Sequence, residues 1–243
     1  YCLAALSRFS KSLRGSVTLS LSNVFFTLTF SLTMIMDISA ASSLYEFSFT
    51  SLFYTNLFYL AILFPVLTMR SFSEERKNGT EVLLLSSPIS VTKIVLAKFL
   101  ATATIFLIML AVSLFYPIVT ALNGHVILAN LICTYVGFYL FGLVCIALGI
   151  LISSFTESII LSIIMSEAAI IILLLMDNIG TYSFFSNLPI LSDLLHWLSN
   201  QQKFITFSNG YMQVSDLFAY CTEIAVFLIL TVISVEKRRW SRR

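Results

Sequence analysis

Long apolar runs, each bounded by charged or turn-forming residues, alternate with polar segments along the 243-residue chain. A helix of about 20 apolar residues crosses the roughly 30 Å hydrocarbon core of a bilayer, so runs of this length predict membrane-spanning helices. The pattern therefore predicts an all-α polytopic membrane protein, with a single transmembrane domain over residues 1–243. The six predicted transmembrane helices cover residues 17–36, 51–69, 95–122, 128–152, 159–176 and 217–235.

The first of these runs is polar for a helix that faces lipid. Hydroxyl groups in a membrane helix bond to carbonyls one turn back or across a helix interface. We therefore expect this span to pack inside a bundle. Its polar residues are Ser22, Asn23, Thr27, Thr29, Ser31 and Thr33.

The segment before the first run, residues 1–16, has two interpretations. It is either an amphipathic N-terminal elbow helix lying in the headgroup layer, with Arg8 and Lys11 on its polar face, or a basic flank of the first span. The apolar face of such a helix would consist of Leu3, Leu6, Phe9 and Leu13.

Composition agrees with a membrane location. Apolar residues make up 58% of the chain and charged residues 11%, and the mean hydropathy is +0.96. A soluble domain carries about 25% charged residues. This composition excludes a globular cytosolic enzyme, a disordered protein and a protein that binds nucleic acid, and it makes membrane lipid the surroundings of the chain.

The positions of the charges predict the orientation. With the amino terminus inside, all but one of the 14 Lys and Arg residues fall on the inner side, and only Lys203 falls on the outer side. Basic residues accumulate in the cytoplasmic loops of membrane proteins. We therefore expect a multi-pass protein of the plasma or inner membrane with both termini in the cytoplasm.

Residues 70–94 form the predicted cytoplasmic loop between spans two and three. A Glu-Glu-Arg-Lys cluster at 74–77 favours helix and extends span two. Gly79 ends that helix, because glycine suits the left-handed position after a helix. Lys93 and Lys98 follow, and we expect both at the membrane interface as anchors.

A short helix is predicted within this loop. Thr80 caps its start, Glu81 complements the helix dipole, and Pro88 ends it. Ser90 is placed to cap the helix that enters span three. The apolar body of the short helix either binds a partner protein or folds back on the bilayer surface. Its leucines are Leu83, Leu84 and Leu85.

Five stretches, in the same order along the chain, resemble type-2 ABC exporter permeases, and the gliding-motility-type permeases are the nearest branch. The longest stretch, residues 65–88, is similar to the signature region of that family and reads PVLTMRSFSEERKNGTEVLLLSSP. The others are IVLAKFLA at 94–101, YVGFYLFG at 135–142, ISSFTE at 152–157 and LTVISVEKRRW at 230–240.

The resemblance implies a transmembrane permease subunit of an ABC exporter. Residues 80–86 would be a coupling helix that docks into a separate cytosolic ABC ATPase, and a second copy of the chain or a related permease would complete a dimeric translocation pathway. It also implies the N-terminal elbow helix, and re-entrant or interfacial helices between spans five and six. The implied ATPase-coupling residues are Glu74, Glu75, Arg76, Lys77, Thr80, Glu81, Leu83, Leu84 and Leu85.

The chain lacks an ATP site of its own. None of its glycines is followed by Lys, so the phosphate-binding loop GxxxxGK[ST] does not occur. No cysteine pair is spaced as C-x-x-C, and the two histidines lie in different loops. We therefore predict no enzyme activity, no catalytic residue, no metal site and no cofactor in this chain, with ATP and Mg²⁺ bound by the partner ATPase.

Two carboxylates fall at membrane depth. Glu167 lies in the middle of span five and Glu223 in the outer part of span six, and neither has a Lys or Arg near it in the sequence. Such residues either line a translocation pathway or a dimer interface, or are neutral and hydrogen-bonded inside the bundle. They are also the basis of an alternative function, a secondary transporter or channel.

The outer loop, residues 177–216, contains a further amphipathic pattern. Leucines at 191, 194, 195 and 198 repeat at helical spacing and predict a short helix at the extracytoplasmic interface. In span four, Gly142 and Gly149 lie on nearly one helical face, which predicts close approach of a neighbouring helix.

Overall fold

A computed structural model describes residues 24–35, 49–79, 89–118, 128–180 and 200–241. These ranges consist of helices and turns and contain no strand. The predicted elbow helix, the coupling helix at 80–86 and the leucine-rich helix at 191–198 lie outside the described residues. The helices are α1 (Val24–Ile35), α2 (Phe49–Thr68), α3 (Ser73–Lys77), α4 (Val91–Ser113), α5 (Leu128–Phe155), α6 (Ile159–Gly180), α7 (Asn200–Ser208) and α8 (Val214–Ser241).

Five helical stretches in the described ranges are long and apolar enough to cross a membrane. The first joins α2 to α3, and the others follow α4, α5, α6 and α8. Helix α1 is a shorter apolar helix within the first predicted span, and that span extends beyond the described residues. The protein is thus an all-α, multi-pass membrane protein. The five stretches are Phe53–Lys77, Val91–Ile118, Leu128–Phe155, Ile159–Met176 and Val214–Arg238.

Helix α5 lies at the centre of the bundle. It packs against α2, α4, α6, α7 and α8, and every residue from 144 to 150 is buried. Its three glycines allow this packing, because a Cβ atom at Gly137, Gly142 or Gly149 would lie 2.7 Å from Phe207 Cβ, 2.2 Å from the Phe106 ring or 2.2 Å from Thr68 Oγ1. The close approach predicted at Gly142 and Gly149 is confirmed.

An aromatic cluster fills the middle of the bundle around Phe138 of α5. Its ring centroid lies 4.9 Å from that of Phe53 in α2, 6.3 Å from Phe106 in α4 and 6.2 Å from Phe204 in α7. A fourth ring, Phe30 of α1, lies at 6.4 Å. Centroid separations of 4.5–7 Å are those at which aromatic pairs attract each other. One residue of α5 thereby joins four other helices.

The polar residues of α1 make the bonds expected of a helix inside a bundle. Thr29 and Thr33 are buried, and the Thr29 hydroxyl donates to the Phe26 carbonyl at 2.9 Å. Asn56 Nδ2 of α2 donates to Thr33 Oγ1 at 2.9 Å. The prediction that this run packs against other helices is confirmed for its described part.

Candidate functional site

The turn between α2 and α3, residues 69–72, is fastened to the end of α5 by one buried serine. Ser153 Oγ accepts hydrogen bonds from the backbone N–H groups of Phe72 at 3.0 Å and Ser73 at 3.2 Å. The same hydroxyl donates to the Met69 carbonyl at 3.1 Å. The helix predicted to extend span two is therefore present as the separate helix α3, whose start is held by a side chain of α5.

Lys98 of α4 reaches the same turn from the opposite direction. Its side chain is buried, with the residue only 6% exposed, and its ammonium lies 2.7 Å from Glu75 Oε1. It also donates to the Ser71 carbonyl and lies 4.2 Å from the centroid of the Phe72 ring. The prediction of Lys98 as an interface anchor is wrong, because α3 and its turn fold over the ammonium and supply a carboxylate and a carbonyl.

Two arginines cap the carboxyl-terminal end of α5. Arg76 of α3 donates to the Thr156 carbonyl at 3.0 Å and also to the Ser154 carbonyl. Arg238 of α8 donates to the Phe155 carbonyl at 3.1 Å. The last carbonyls of a helix have no partner within the helix and carry partial negative charge, so cations are favourable there. The end of α5 is thereby bonded to both α3 and α8.

Helix α3 ends as the sequence predicts. Gly79 has a positive φ of 68°, and the Gly79 N–H donates to the Arg76 carbonyl at 3.0 Å. Ser90 occupies the N-cap position of α4 with extended backbone, although its side chain makes no capping hydrogen bond. The remaining coupling residues are placed as follows: Glu74 is half-buried and Lys77 is exposed, whereas Thr80, Glu81, Leu83, Leu84 and Leu85 lie outside the described residues.

Glu223 belongs to a buried polar network between α7 and α8. Its carboxylate lies 2.5 Å from Lys203 Nζ and accepts a hydrogen bond from Asn200 Nδ2 at 2.9 Å. Lys203 Nζ also donates to Asn200 Oδ1 at 3.3 Å, and both charged residues are buried. The expectation that Glu223 has no cation near it is wrong. The sequence feature that could have indicated this pair is Lys203, the single basic residue predicted on the outer side. The sequence did not show that α7 folds back into the bundle and brings Lys203 to Glu223.

Helix α7 carries Lys203 into the bundle because its apolar side chains pack against α5. Phe204 and Phe207 are fully buried, and Phe207 lies against Gly137 of α5. The Tyr220 hydroxyl of α8 donates to the Asn200 carbonyl at the start of α7 at 3.2 Å. Helix α7 therefore packs inside the bundle, in the part of the chain where the resemblance implies re-entrant or interfacial helices.

Glu167 lies on α6 and differs from Glu223 in its surroundings. It is partly exposed, and its neighbours one turn away, Ile164 and Ile171, are exposed apolar residues. Its carboxylate makes no hydrogen bond or ion pair with the part of the chain that the structure describes. Helices α6 and α8 share no extended contact in that part, so the two carboxylates are not brought together.

Comparison with known families assigns the chain to a class of transport proteins. The family described as ABC-2 family transporter protein matches residues 31–235, which include α2 to α7 completely, the end of α1 and most of α8. The chain belongs to this family, whose members are permease components of ABC transporters. Comparison with curated proteins gave no match.

Proposed function

We propose that this chain is the transmembrane subunit of an ABC exporter, with a dimeric translocation pathway that a separate cytosolic ATPase drives. The observation that carries the proposal is the attachment of α3, through Glu75 and Arg76, to α4 and α5. The segment at 80–88 directly follows α3, so a protein that binds this segment acts on a helix bonded to the centre of the bundle.

The distribution of charge supports a cytoplasmic location for α3. Exposed Lys77 and Lys93 and the half-buried Arg76 and Arg238 lie at the ends of α3, α4 and α8 that meet the end of α5. Among the described residues, the opposite end contributes only Lys203, which is buried in an ion pair. An arrangement of this kind follows the positive-inside rule, and it supports a cytoplasmic side for the segment at 80–88, within reach of a cytosolic ATPase.

The outer surface of α6 supports a second permease copy, or a related permease, as a partner. The carboxylate of Glu167 stands among exposed apolar side chains, and an ionisable group facing hydrocarbon is unfavourable. A neighbouring subunit or a translocation pathway along α6 would give this carboxylate a polar environment. The alternative function, a gradient-driven transporter or channel, was based on Glu167 and Glu223. The ion pair with Lys203 neutralises Glu223, which weakens the case for this alternative.

The proposal is tested by purifying the chain from native membranes and identifying what remains bound. We expect an ABC ATPase to co-purify, and the double variant Leu83→Asp, Leu84→Asp to lose it, because two carboxylates on the coupling helix would have to be buried in the contact. Tyr211→Asp, at an exposed residue of the opposite end, is the control and should retain the ATPase. Wild-type chain without any ATPase, or retention by the double variant, would contradict the proposal.

A further inference from the structure

A buried ammonium joins the two ends of the segment at 80–88. The helix α3 is followed by Asn78 and Gly79, and α4 begins after Ser90, so these two helices flank the segment at 80–88. Lys98 lies two turns into α4, and its ammonium bonds back to Glu75 of α3 and to the turn that precedes α3 at Ser71. Helix α4, which follows the segment, therefore also holds α3, which precedes it.

The five residues of α3 do not hold themselves in place. An isolated helix of this length is unstable in water, so tertiary contacts determine its direction. On one side Arg76 bonds to carbonyls of α5, and on the other the Lys98 ammonium contacts Glu75, the Ser71 carbonyl and the Phe72 ring. The contacts with α5 hold one side of α3, and the lysine holds the side that faces α4.

The burial of Lys98 marks it as different from its exposed neighbour. Lys93 lies on the same helix, five residues earlier, and its side chain is exposed. Burying an ammonium is unfavourable unless carboxylate and carbonyl partners surround it. Among the described contacts of Lys98, α3 and its turn supply a carboxylate and a carbonyl, so the charge of Lys98 stabilises the present orientation of α3.

We infer that Lys98 is a positioning residue that fixes the orientation of α3, the helix directly before the coupling segment at 80–88. This inference rests on the proposed function. With Lys98 in place, a displacement of the segment moves α3, α4 and α5 together. Without it, α3 keeps its contacts with α5 but loses its attachment to α4, and part of the displacement is absorbed between α3 and α4. Lys98 thus determines how strongly the permease and the ATPase influence each other, and it is not part of the docking surface.

The experiment separates docking from coupling. Lys98→Met, Lys98→Arg and Lys93→Met are compared in complex with the ATPase that co-purifies with the wild-type chain, by binding and by the change in ATP hydrolysis rate that the permease causes. We expect Lys98→Met to bind the ATPase within about threefold of wild type, while the permease-dependent change in hydrolysis rate falls about tenfold, the scale of a lost charge-assisted hydrogen bond. Lys93→Met should behave as wild type, and Lys98→Arg should recover most of the rate change.

A second measurement monitors the position of α3 relative to α4 and needs no ATPase. Spin labels at Lys77→Cys and Thr92→Cys, both exposed positions, report the distance between α3 and the start of α4 in a chain whose four native cysteines are replaced by Ser. Lys98→Met should broaden the distance distribution, and Lys98→Arg, which keeps a cation and its donors, should narrow it again.

The outcomes distinguish the inference from the function on which it rests. An unchanged distance distribution in Lys98→Met, or an unchanged effect of the permease on ATP hydrolysis, overturns the inference and leaves the proposed function standing. Loss of ATPase binding in Lys98→Met with a correctly folded chain would also overturn it, because Lys98 would then belong to the docking surface. Absence of an ATPase from the wild-type preparation would instead remove the proposed function.

Discussion

At the scale of single residues, packing around α5 depends on the absence of a side chain at three positions. Gly142 is the clearest case, because the Phe106 ring occupies the space that a Cβ would need. Phe106 has little freedom to move, since its ring lies 5.1 Å from Phe64 and is stacked on Tyr139 at 5.8 Å. A methyl group at position 142 would therefore be resisted by several packed rings.

We predict that Gly142→Ala destabilises the folded bundle by about 1–3 kcal/mol, the range for overpacking a filled core. Thermal unfolding in detergent measures the loss. Phe106→Leu in the same chain removes part of the ring that the methyl group meets, so the double variant should lose less stability than the sum of the two single variants. Strict additivity would show that the ring and the glycine are not in contact.

The ion pair between Lys203 and Glu223 gives a second prediction at this scale. Lys203→Met leaves a buried carboxylate without its cation, and removal of one partner of a buried pair costs about 3–5 kcal/mol. Lys203→Met combined with Glu223→Gln should regain most of that stability, because the amide keeps an acceptor for Asn200. Lys237→Met, at an exposed position of α8, should change the unfolding temperature little. A double variant as unstable as Lys203→Met would contradict the pairing.

At the scale of secondary-structure elements, the end of α5 is where α3 and α8 meet. Arg76 and Arg238 bond to its last carbonyls, and Ser154 Oγ donates to Ser234 Oγ of α8 at 3.1 Å. Ser153, one residue earlier, holds the turn before α3. Helix α3 is thus attached to the bundle by hydrogen bonds to backbone groups and by Lys98, while most other helices are held by apolar packing.

We predict that Ser153→Ala loosens α3 and leaves the bundle folded. The substitution removes three hydrogen bonds and leaves the Phe72 and Ser73 N–H groups without the acceptor on α5, a loss of about 1–3 kcal/mol that is confined to the turn. Amide hydrogen exchange should accelerate by about tenfold or more in residues 69–77 and remain unchanged in the buried middle of α5. Thr104→Ala is the control, because the exposed Thr104 hydroxyl donates only to Leu100 of its own helix. Equal protection of residues 69–77 in wild type and Ser153→Ala would contradict this attachment.

Features encoded locally were predictable from the sequence, and features that depend on distant elements were not. The apolar runs, the helix stop at Gly79 and the close contacts at Gly142 and Gly149 follow from the residue and its immediate neighbours. The surroundings of Lys98 and Glu223 were mistaken, because their partners lie 23 residues earlier at Glu75 and 20 residues earlier at Lys203. A charged residue at membrane depth indicates that it needs a partner of opposite charge. The packing of α3 and α7 determines which residue is that partner.

At the scale of the whole molecule, three helices long enough to cross a membrane lie between the exposed residues Lys77 and Tyr211. Between Lys77 and Tyr211 the chain passes through α4, α5 and α6, and α7 then folds back into the bundle against α5 and α6. Three crossings place Lys77 and Tyr211 on opposite sides of the membrane, and a fourth crossing would place them on the same side. The topology of the protein therefore depends on whether α7, together with the residues before it, returns to the same side of the bilayer or crosses it.

We predict that Tyr211→Cys reacts with a membrane-impermeant maleimide in intact cells, whereas Lys77→Cys reacts only after the membrane is permeabilised. Both residues are exposed, and both variants are made in a chain whose native cysteines are replaced by Ser. Ala147→Cys, at a fully buried position of α5, is the control and should react in neither state. The reverse pattern would contradict the orientation predicted from the basic residues. Reaction of Lys77→Cys and Tyr211→Cys from the same side would show that α7 or the segment before it crosses the membrane, and the re-entrant assignment would then be wrong.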